Sequence, residues 1–534
     1  MRMGNKYAGF RAAGGQVARV LRGVARRIEG PEASSRRVGD NASNPERSLE
    51  VASYVDSETR QRDLEELRMG LSGAAVQYLQ LAVAPGMTYR FAISGDNSTR
   101  VRRFLENLVQ SDGWFVEVTE SRDGHKLRVA MPMVGDDANW IAAHVRRVRS
   151  AHDGLPLAPS GDLVDIEFWR TVPAPRDASN QTPRMLGNRS SDEMLSSVWD
   201  EGVTRRQPEK APAHLFEVLE PIDVVYTWVD SHDRDWSRSK AEALGSLQGS
   251  DRHPSSFVES RFESGEDLRY SLRSLSMYAD WVNHVYIVTD KQIPDWLDVD
   301  SPKITVVDHQ DIFSDTSVLP VFNSHAIESQ LHHIEGLNEH YLYLNDDVFF
   351  GRAVRPDTFF HGNGIAKFFL SKNSVGYGPA DSSNLPVDAA ARNNRDLLST
   401  LIQRTVTQKF QHTPHPQLRS VMNDLEREVP EVFAKTMASR FRSPEDYSIP
   451  SSLFHNYSYS QGKSVPGVVD YAYQDLMTAS AANRYRTIAE THRYEVFCLN
   501  EVEAEGESRR IARDSMQKFL EAYFPFASEF ERKF

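Results

Sequence analysis

Cysteine is almost missing from this sequence: Cys498 is the only one in 534 residues. A single thiol excludes an internal disulfide and any Cys-based zinc site, and it fits a reducing compartment. Long apolar runs are missing as well. None approaches the ~20 residues that a membrane helix needs, and the first residues lack the continuous apolar core of a secretory signal. A cytoplasmic protein is the expectation. There is no Gly-rich dinucleotide fingerprint and no Walker loop, so any phosphate must be held by metal and arginine. Nor is there an excess of basic charge: the formal net charge is −13, which argues against a nucleic-acid binder. Hydrophobic residues make up 40% and aromatic residues 10%, enough for globular folding. At this length the core must divide into two or more domains.

The chain is organised around His340-Tyr-Leu-Tyr-Leu-Asn-Asp-Asp-Val-Phe-Phe350. An alternating apolar run stops at Asn345, Asp346 and Asp347. It reads as a buried strand whose carboxyl end carries the acids, the place where open α/β sheets hold ligands. Two adjacent carboxylates repel each other and need a cation or water. Mg2+ (or Mn2+) shared with substrate phosphates would satisfy them; a solvated turn is the alternative, since Asn and Asp favour turns.

Residues 1–55 read as a basic amphipathic helix followed by a flexible linker. Val17, Val20, Leu21, Val24 and Ile28 share one helical face and Arg19, Arg22, Arg26 and Arg27 the other. Such a helix either lies on an anionic membrane, here the inner face, or docks on its own protein. Residues 56–171 read as a small α+β accessory module. It has helices near 58–83, 101–108 and 138–149 and strands at 89–94, 114–120, 125–133 and 163–170, with Asp123-Gly124 marking a hairpin. That order is compatible with a ferredoxin-like split βαβ. Residues 172–215 form a connector. From 216 to 384, strands at 222–230, 284–289, 303–307 and 365–370 alternate with helices at 267–279 and 324–335. This implies a Rossmann-like, mostly parallel sheet. Residues 385–534 turn helical, with helices near 387–404, 416–428, 431–441, 468–482 and 507–523. They are interrupted by Gln411-His-Thr-Pro-His-Pro416, where proline stiffens a turn carrying His412 and His415. Taken singly, each of these histidines reads as a capped or solvated loop residue.

Four ordered blocks resemble the Stealth family of sugar-phosphate transferases, which includes bacterial capsule polymerases and the N-acetylglucosamine phosphotransferase that tags lysosomal enzymes. The first is Ile222-Asp-Val-Val-Tyr-Thr-Trp-Val-Asp230. The second runs from Asp267-Leu-Arg-Tyr-Ser-Leu-Arg-Ser274, through Ile287-Val-Thr-Asp290 and Ala326-Ile-Glu328, to Tyr343-Leu-Asn-Asp-Asp-Val348. The third holds His412-Thr-Pro-His415 and Phe441-Arg442. The fourth holds Phe497-Cys-Leu-Asn500 and Tyr523-Phe-Pro525. The blocks cover roughly 216 to 530. In the first 200 residues no such motif is found, and Thr413 stands where the lysosomal enzyme has Met.

The resemblance implies transfer of a hexose 1-phosphate from a nucleotide-sugar, expected to be UDP-linked, to a hydroxyl of an oligosaccharide or polysaccharide acceptor. A nucleoside monophosphate leaves. Such chemistry rests on positioning and charge stabilisation. Asn345, Asp346 and Asp347 would hold the metal, and Asp230 would orient nucleotide or metal. Tyr226, Thr227 and Trp228 would line the nucleotide site. Arg269 and Arg273, one helical turn apart, would clamp phosphate, with a surface salt bridge as the alternative for Arg269. Glu328 is substrate-binding or structural. His412 is the candidate general base, with His415 orienting it or touching the acceptor, and Arg442 would neutralise developing charge. Two other readings stay open: a metal-dependent glycosyltransferase releasing nucleoside diphosphate, and a non-catalytic polysaccharide-binding protein.

Overall fold

The computed structural model describes residues 48–81, 88–122, 125–131, 140–152, 156–158, 161–172, 193–195, 213–245, 266–501 and 506–533. The basic segment 16–28, the Asp123-Gly124 turn and most of 172–215 lie outside them. Among the described residues no helix is long and apolar enough to cross a membrane. Contacts divide the chain between Glu217 and Val218 into two compact units.

In the first unit, helices Asp56–Gly73 and Ser98–Leu108 lay Leu64, Leu67, Leu71, Val101 and Leu105 on one core with Phe91, Val118, Ala143, Val145 and Ile166. The sheet runs in the order Tyr78–Leu81, Tyr89–Ser94, Val164–Val172, Trp140–Arg147, Trp114–Arg122, His125–Ala130. Two expectations fail here. The first helix ends at Gly73, with Ala75 in the left-handed region at φ +55°, and a strand follows it. The segment at 138–149 is a strand, not a helix. Ala143 and Val145 point into the core while Ala142, His144 and Arg146 alternate outward, and strands pair on both sides. With a strand where the second helix was expected, the ferredoxin-like order is not realised.

The second unit is mixed α/β. Strands β1 (Ile222–Thr227), β2 (Val285–Thr289), β3 (Ile304–Asp308) and β4 (His340–Asn345) are parallel. Strand β6 (His415–Leu418) closes the edge antiparallel to β4, giving the order β3-β2-β1-β4-β6. Pro416 is tolerated because β6 is an edge strand; this strand displaces the helix expected to start at 416, which begins at Arg419. β1 and β4 are buried along nearly their whole length, as strands covered on both faces must be. The chain leaves β1 toward β2 and β3 and returns on the other side as β4, so the topological switch lies between β1 and β4. Their register pairs Thr227 with Asn345, which brings both carboxyl ends to the same level.

A second sheet starts two residues beyond β4. β5 (Val348–Phe350) pairs antiparallel with β8 (Val496–Asn500), and β8 pairs parallel with β7 (Tyr471–Asp475). β7 occupies part of the expected helix 468–482. Helix α1 (Asp267–Tyr278) ties the sheets together: Ser271 Oγ donates to the Val348 carbonyl at 2.6 Å and accepts from Tyr226 Oη at 2.9 Å. The expected helix 324–335 is a short helix α2 (Ser324–Glu328), capped by Asn323, and then a turn at Leu331–His333. Helix α3 (Arg419–Glu428) follows β6, and α4 (Gly506–Tyr523) packs near the chain's end.

Candidate active site

Asp346 and Asp347 form the two-residue link from β4 to β5, at the switch point. The Asp347 carboxylate is gripped from both sides. His412 Nε2 lies 3.2 Å from Oδ1, Asn500 donates to Oδ2 at 2.8 Å, and Cys498 Sγ lies 3.4 Å from Oδ2. The backbone adds Leu499 N–H to the Asp347 carbonyl at 3.0 Å. Burial alone would raise the Asp347 carboxyl, but His412, Asn500 and Cys498 outweigh it and hold it below the ordinary range. For His412 burial acts downward, and Asp347, with Glu328 further off, holds the imidazole above its ordinary value.

Asp346 faces the opposite situation. Burial first, then the charges of Asp267 and Asp347, push it up to about 8. Asp267 is itself pushed to about 6 by burial, against the pull of Arg513, whose Nη1 donates to it at 3.0 Å. Three carboxylates thus converge with less positive charge than they need. A hard divalent cation bound through oxygen would relieve such a set, but among the described residues Asp346, Asp347 and Asp267 do not bring their oxygens within 4.8 Å of one another as a group of three. Asp347, His412 and Cys498 do place ligand atoms within 4.8 Å of one another. However, burial and the Asp347 charge keep the Cys498 thiol protonated, whereas a metal would need the thiolate.

The third wall is positive. Arg442 Nη2 donates to Ser324 Oγ at 2.7 Å at the start of α2. Phe441 beside it stacks on Phe322 at 5.3 Å. Burial lowers the guanidinium's hold on its proton, and Glu328, Asp446 and Tyr343 counter this. Buried Glu328 is hydrogen-bonded to Tyr343, whose hydroxyl meets Thr227 Oγ1 at 3.2 Å. His412, Arg442, Glu328 and Thr227 therefore share one neighbourhood around Tyr343.

Models of the four Stealth conserved regions match the chain at 220–248 for region 1, 261–368 for region 2, 411–459 for region 3 and 489–533 for region 4. Exopolysaccharide phosphotransferase SCO6023 of Streptomyces coelicolor is 37% identical over 89% of this chain and 83% of its own length. The chain belongs to the Stealth family. Exopolysaccharide phosphotransferase CpsY of Mycobacterium leprae is 37% identical over 90% of this chain and 88% of its own. The Stealth protein is accordingly a transferase. Among solved structures, galactosyltransferase LgtC with donor and acceptor sugar analogs aligns over 55% of this chain and 95% of its own. At 9% identity and a TM-score of 0.26, that likeness is too slight to bear on function.

All four Stealth regions meet at the site: Thr227 from region 1; Asp267, Glu328, Asp346 and Asp347 from region 2; His412 and Arg442 from region 3; Cys498 and Asn500 from region 4. Other expected residues have different placements. Arg269 and Arg273 share a face, but that face meets Glu531. Arg269 Nε lies 2.6 Å from Oε2, Arg273 Nε 2.7 Å from Oε1, and Arg273 also donates to the Phe524 carbonyl at 3.2 Å. Both guanidinium groups are engaged in anchoring the C-terminal segment rather than clamping phosphate. The Tyr226 side chain is buried with its hydroxyl on Ser271, which leaves its backbone alone to line a ligand. Asp230 accepts from His232 N–H at 2.9 Å, and its backbone is bonded to Gln292. His415 is buried against His455, with Nδ1 and Nε2 3.1 Å apart. Its ring lies edge-on to that of His412 with centroids 6.5 Å apart, and no hydrogen bond between the two is found among the described residues. The sequence reading missed Asp267 and Asn500, although both stand in the matching blocks. Asn500 ends a strand just as Asn345 does, the one signal that could have found it.

Proposed function

We propose that the protein transfers a sugar 1-phosphate, such as an N-acetylhexosamine 1-phosphate, from a UDP-linked sugar to a hydroxyl of an acceptor saccharide in exopolysaccharide synthesis. The observation that supports this most is the Asp347–His412 contact, which couples the acids at the switch point to a proton acceptor from another region. The names of the relatives point the same way.

In this reading the acceptor oxygen attacks the β-phosphorus, the bond from that phosphorus to the bridging oxygen breaks, and nucleoside monophosphate leaves. With His412 Nε2 turned to Asp347, Nδ1 is the nitrogen left to take the hydroxyl proton. Asp347 fixes the ring and stabilises the imidazolium that results, as an orienting carboxylate does for a catalytic histidine. Arg442 faces the charge that develops on the transferred phosphoryl group. Thr227 and the backbone that follows it line the nucleotide side. A divalent cation held by Asp346 and Asp347 would supply charge neutralisation to the pyrophosphate.

The test is incubation of the full chain with UDP-sugars labelled in the β-phosphate, with Mg2+ and a saccharide acceptor. Release of UMP with label in the saccharide supports the reading. Release of UDP that keeps the label overturns it in favour of glycosyl transfer.

A further inference from the structure

A second group of ligand-type side chains hangs from the amino-terminal side of β4, at the end of the strand away from the acids. His332 and His333 lie on the turn that leads toward β4, and Glu426 lies on α3, which begins directly after β6. His332 Nε2 and His333 Nε2 each approach the same atom, Oε2 of Glu426, at 2.9 Å. All three atoms lie within 4.8 Å of one another. The two imidazoles face each other with centroids 4.1 Å apart.

Two further contacts make this more than a surface pairing. His333 Nδ1 lies 2.9 Å from the Ile312 carbonyl oxygen. A carbonyl only accepts, so Nδ1 donates to it, and Nε2 is the nitrogen left to face Glu426. Burial acts downward on this imidazole, but Glu426 and the Ile312 carbonyl hold it above its ordinary value, so without metal a proton on Nε2 occupies the place between ring and carboxylate that a cation would take. The carbonyl partner is also the contact that metal-binding histidines use to fix their tautomer. His332 is fully buried, edge-on to Phe433 at 5.8 Å, and its Nδ1 has no hydrogen-bond partner. Its polar contact is therefore made through Nε2 alone, the nitrogen that faces Glu426 and would take the ion.

We infer that His332, His333 and Glu426 form a binding site for a divalent transition metal of the zinc class. The ligand set is two imidazole nitrogens and one carboxylate oxygen, a combination that favours zinc over magnesium. Ligand atoms around a tetrahedral zinc stand roughly 3.3 Å apart, so a small outward shift of Glu426 admits the ion. The His333 and Glu426 side chains are 25% and 24% exposed, which leaves a fourth position open to water. Arg419 fixes the ligand turn by donating to the carbonyls of His332 and Leu337 at 3.0 and 2.9 Å; its charge opposes a cation and Glu426 offsets it. The ion would staple the segment entering β4 to the helix leaving β6. β4 leads to Asp347 and β6 follows His412, and the staple would sit at their ends remote from the chemistry. It is a structural site, independent of the proposed transfer reaction.

The experiment uses the full chain stripped of metal by a chelator, then titrated with Zn2+ in excess Mg2+, with bound zinc and melting temperature as readouts. His333→Arg keeps a cation facing Glu426 and removes a ligand; Asp347→Asn probes the other cluster. The expected result is one zinc bound with a rise in melting temperature in the wild type and in Asp347→Asn, both lost in His333→Arg. Equal zinc binding in the wild type and His333→Arg, or loss in Asp347→Asn instead, overturns the site. If His333→Arg does not fold, Co2+ in the wild type decides. Tetrahedral absorption without a thiolate charge-transfer band supports the site, and a thiolate band, which would place the ion at Cys498, or no binding, overturns it.

Discussion

Asn500 donates its side-chain amide to Oδ2 of Asp347 at 2.8 Å across 153 positions of sequence. The bond ties the end of β8 to the link between β4 and β5, and with His412 on Oδ1 it leaves the carboxylate one orientation. A hydrogen bond to a charged group contributes about 1.5–3 kcal/mol. Asn500→Ala should therefore lower kcat/KM by roughly tenfold to a hundredfold at that conversion, with the fold intact by circular dichroism. Asn500→Asp should be worse, because it adds a carboxylate where three already converge. Wild-type kcat/KM in Asn500→Ala would remove the residue from the site.

The second prediction follows from the shortage of positive charge around Asp346. Replacing that carboxyl by an amide removes the cost of burying an ionisable group there, and with it the repulsion from Asp267 and Asp347 that appears when it ionises. Asp346→Asn should raise the melting temperature of the metal-free protein while abolishing turnover. Millimolar Mg2+ or Mn2+ should stabilise the wild type and not the variant. A cation-induced shift of equal size in both proteins would place the ion elsewhere.

The third prediction concerns Glu531, which Arg273 and Arg269 hold. Burial acts to raise its carboxyl, but Arg273, the Ser528 backbone and Arg269 together bring it down to about 2 from an ordinary value of 4.5. A folded value below the unfolded one stabilises the fold at every pH above the ordinary value, and the contribution fades as pH falls toward 2. Glu531→Gln should cost about 3 kcal/mol at neutral pH, the usual scale for breaking a buried pair. The gap to wild type in urea denaturation should close between roughly pH 4.5 and 2. Arg273→Ala should likewise lower stability and leave the donor KM unchanged. A large rise in that KM would return Arg273 to the phosphate site.

These residues also show what the sequence could and could not disclose. The alternation of His340–Asn345 and the acids after it are local facts, so the strand, its burial and its functional end were legible. That Arg269 and Arg273 share a face is equally local. Which partner that face meets is not, because Glu531 is 258 positions from Arg273. The Asp347–His412 contact spans 65 positions and depends on β6 returning antiparallel to β4, a pairing obscured by Pro416. Trp140–Arg147 was misread for a different reason. Its alanines and arginines suit a helix, and the alternation of Ala143 and Val145 with His144 becomes decisive only when neighbouring strands are there to pair with it.

The last prediction separates proton transfer from charge stabilisation. His412 touches Asp347 and Arg442 touches Ser324, so each can be weakened without disturbing the other's anchor. His412→Ala removes the proposed base but none of the groups expected to hold the donor. Single-turnover phosphoryl transfer should fall by about 10²–10⁴, with donor affinity nearly unchanged. Arg442→Ala removes charge that the transition state needs more than the ground state does, so it should lower kcat strongly and raise the donor KM less. Arg442→Lys should rescue only part of this, because a point charge does not reproduce a planar fork. Ser324→Ala should act in the same direction as Arg442→Ala but more weakly, since it frees the guanidinium without removing it. The decisive comparison is the double variant His412→Ala/Ser324→Ala. If the two residues act on separate parts of the reaction, their effects on the rate should multiply. If the double variant is no slower than His412→Ala alone, Arg442 serves only to position His412, and the division of labour between base and charge stabiliser is wrong.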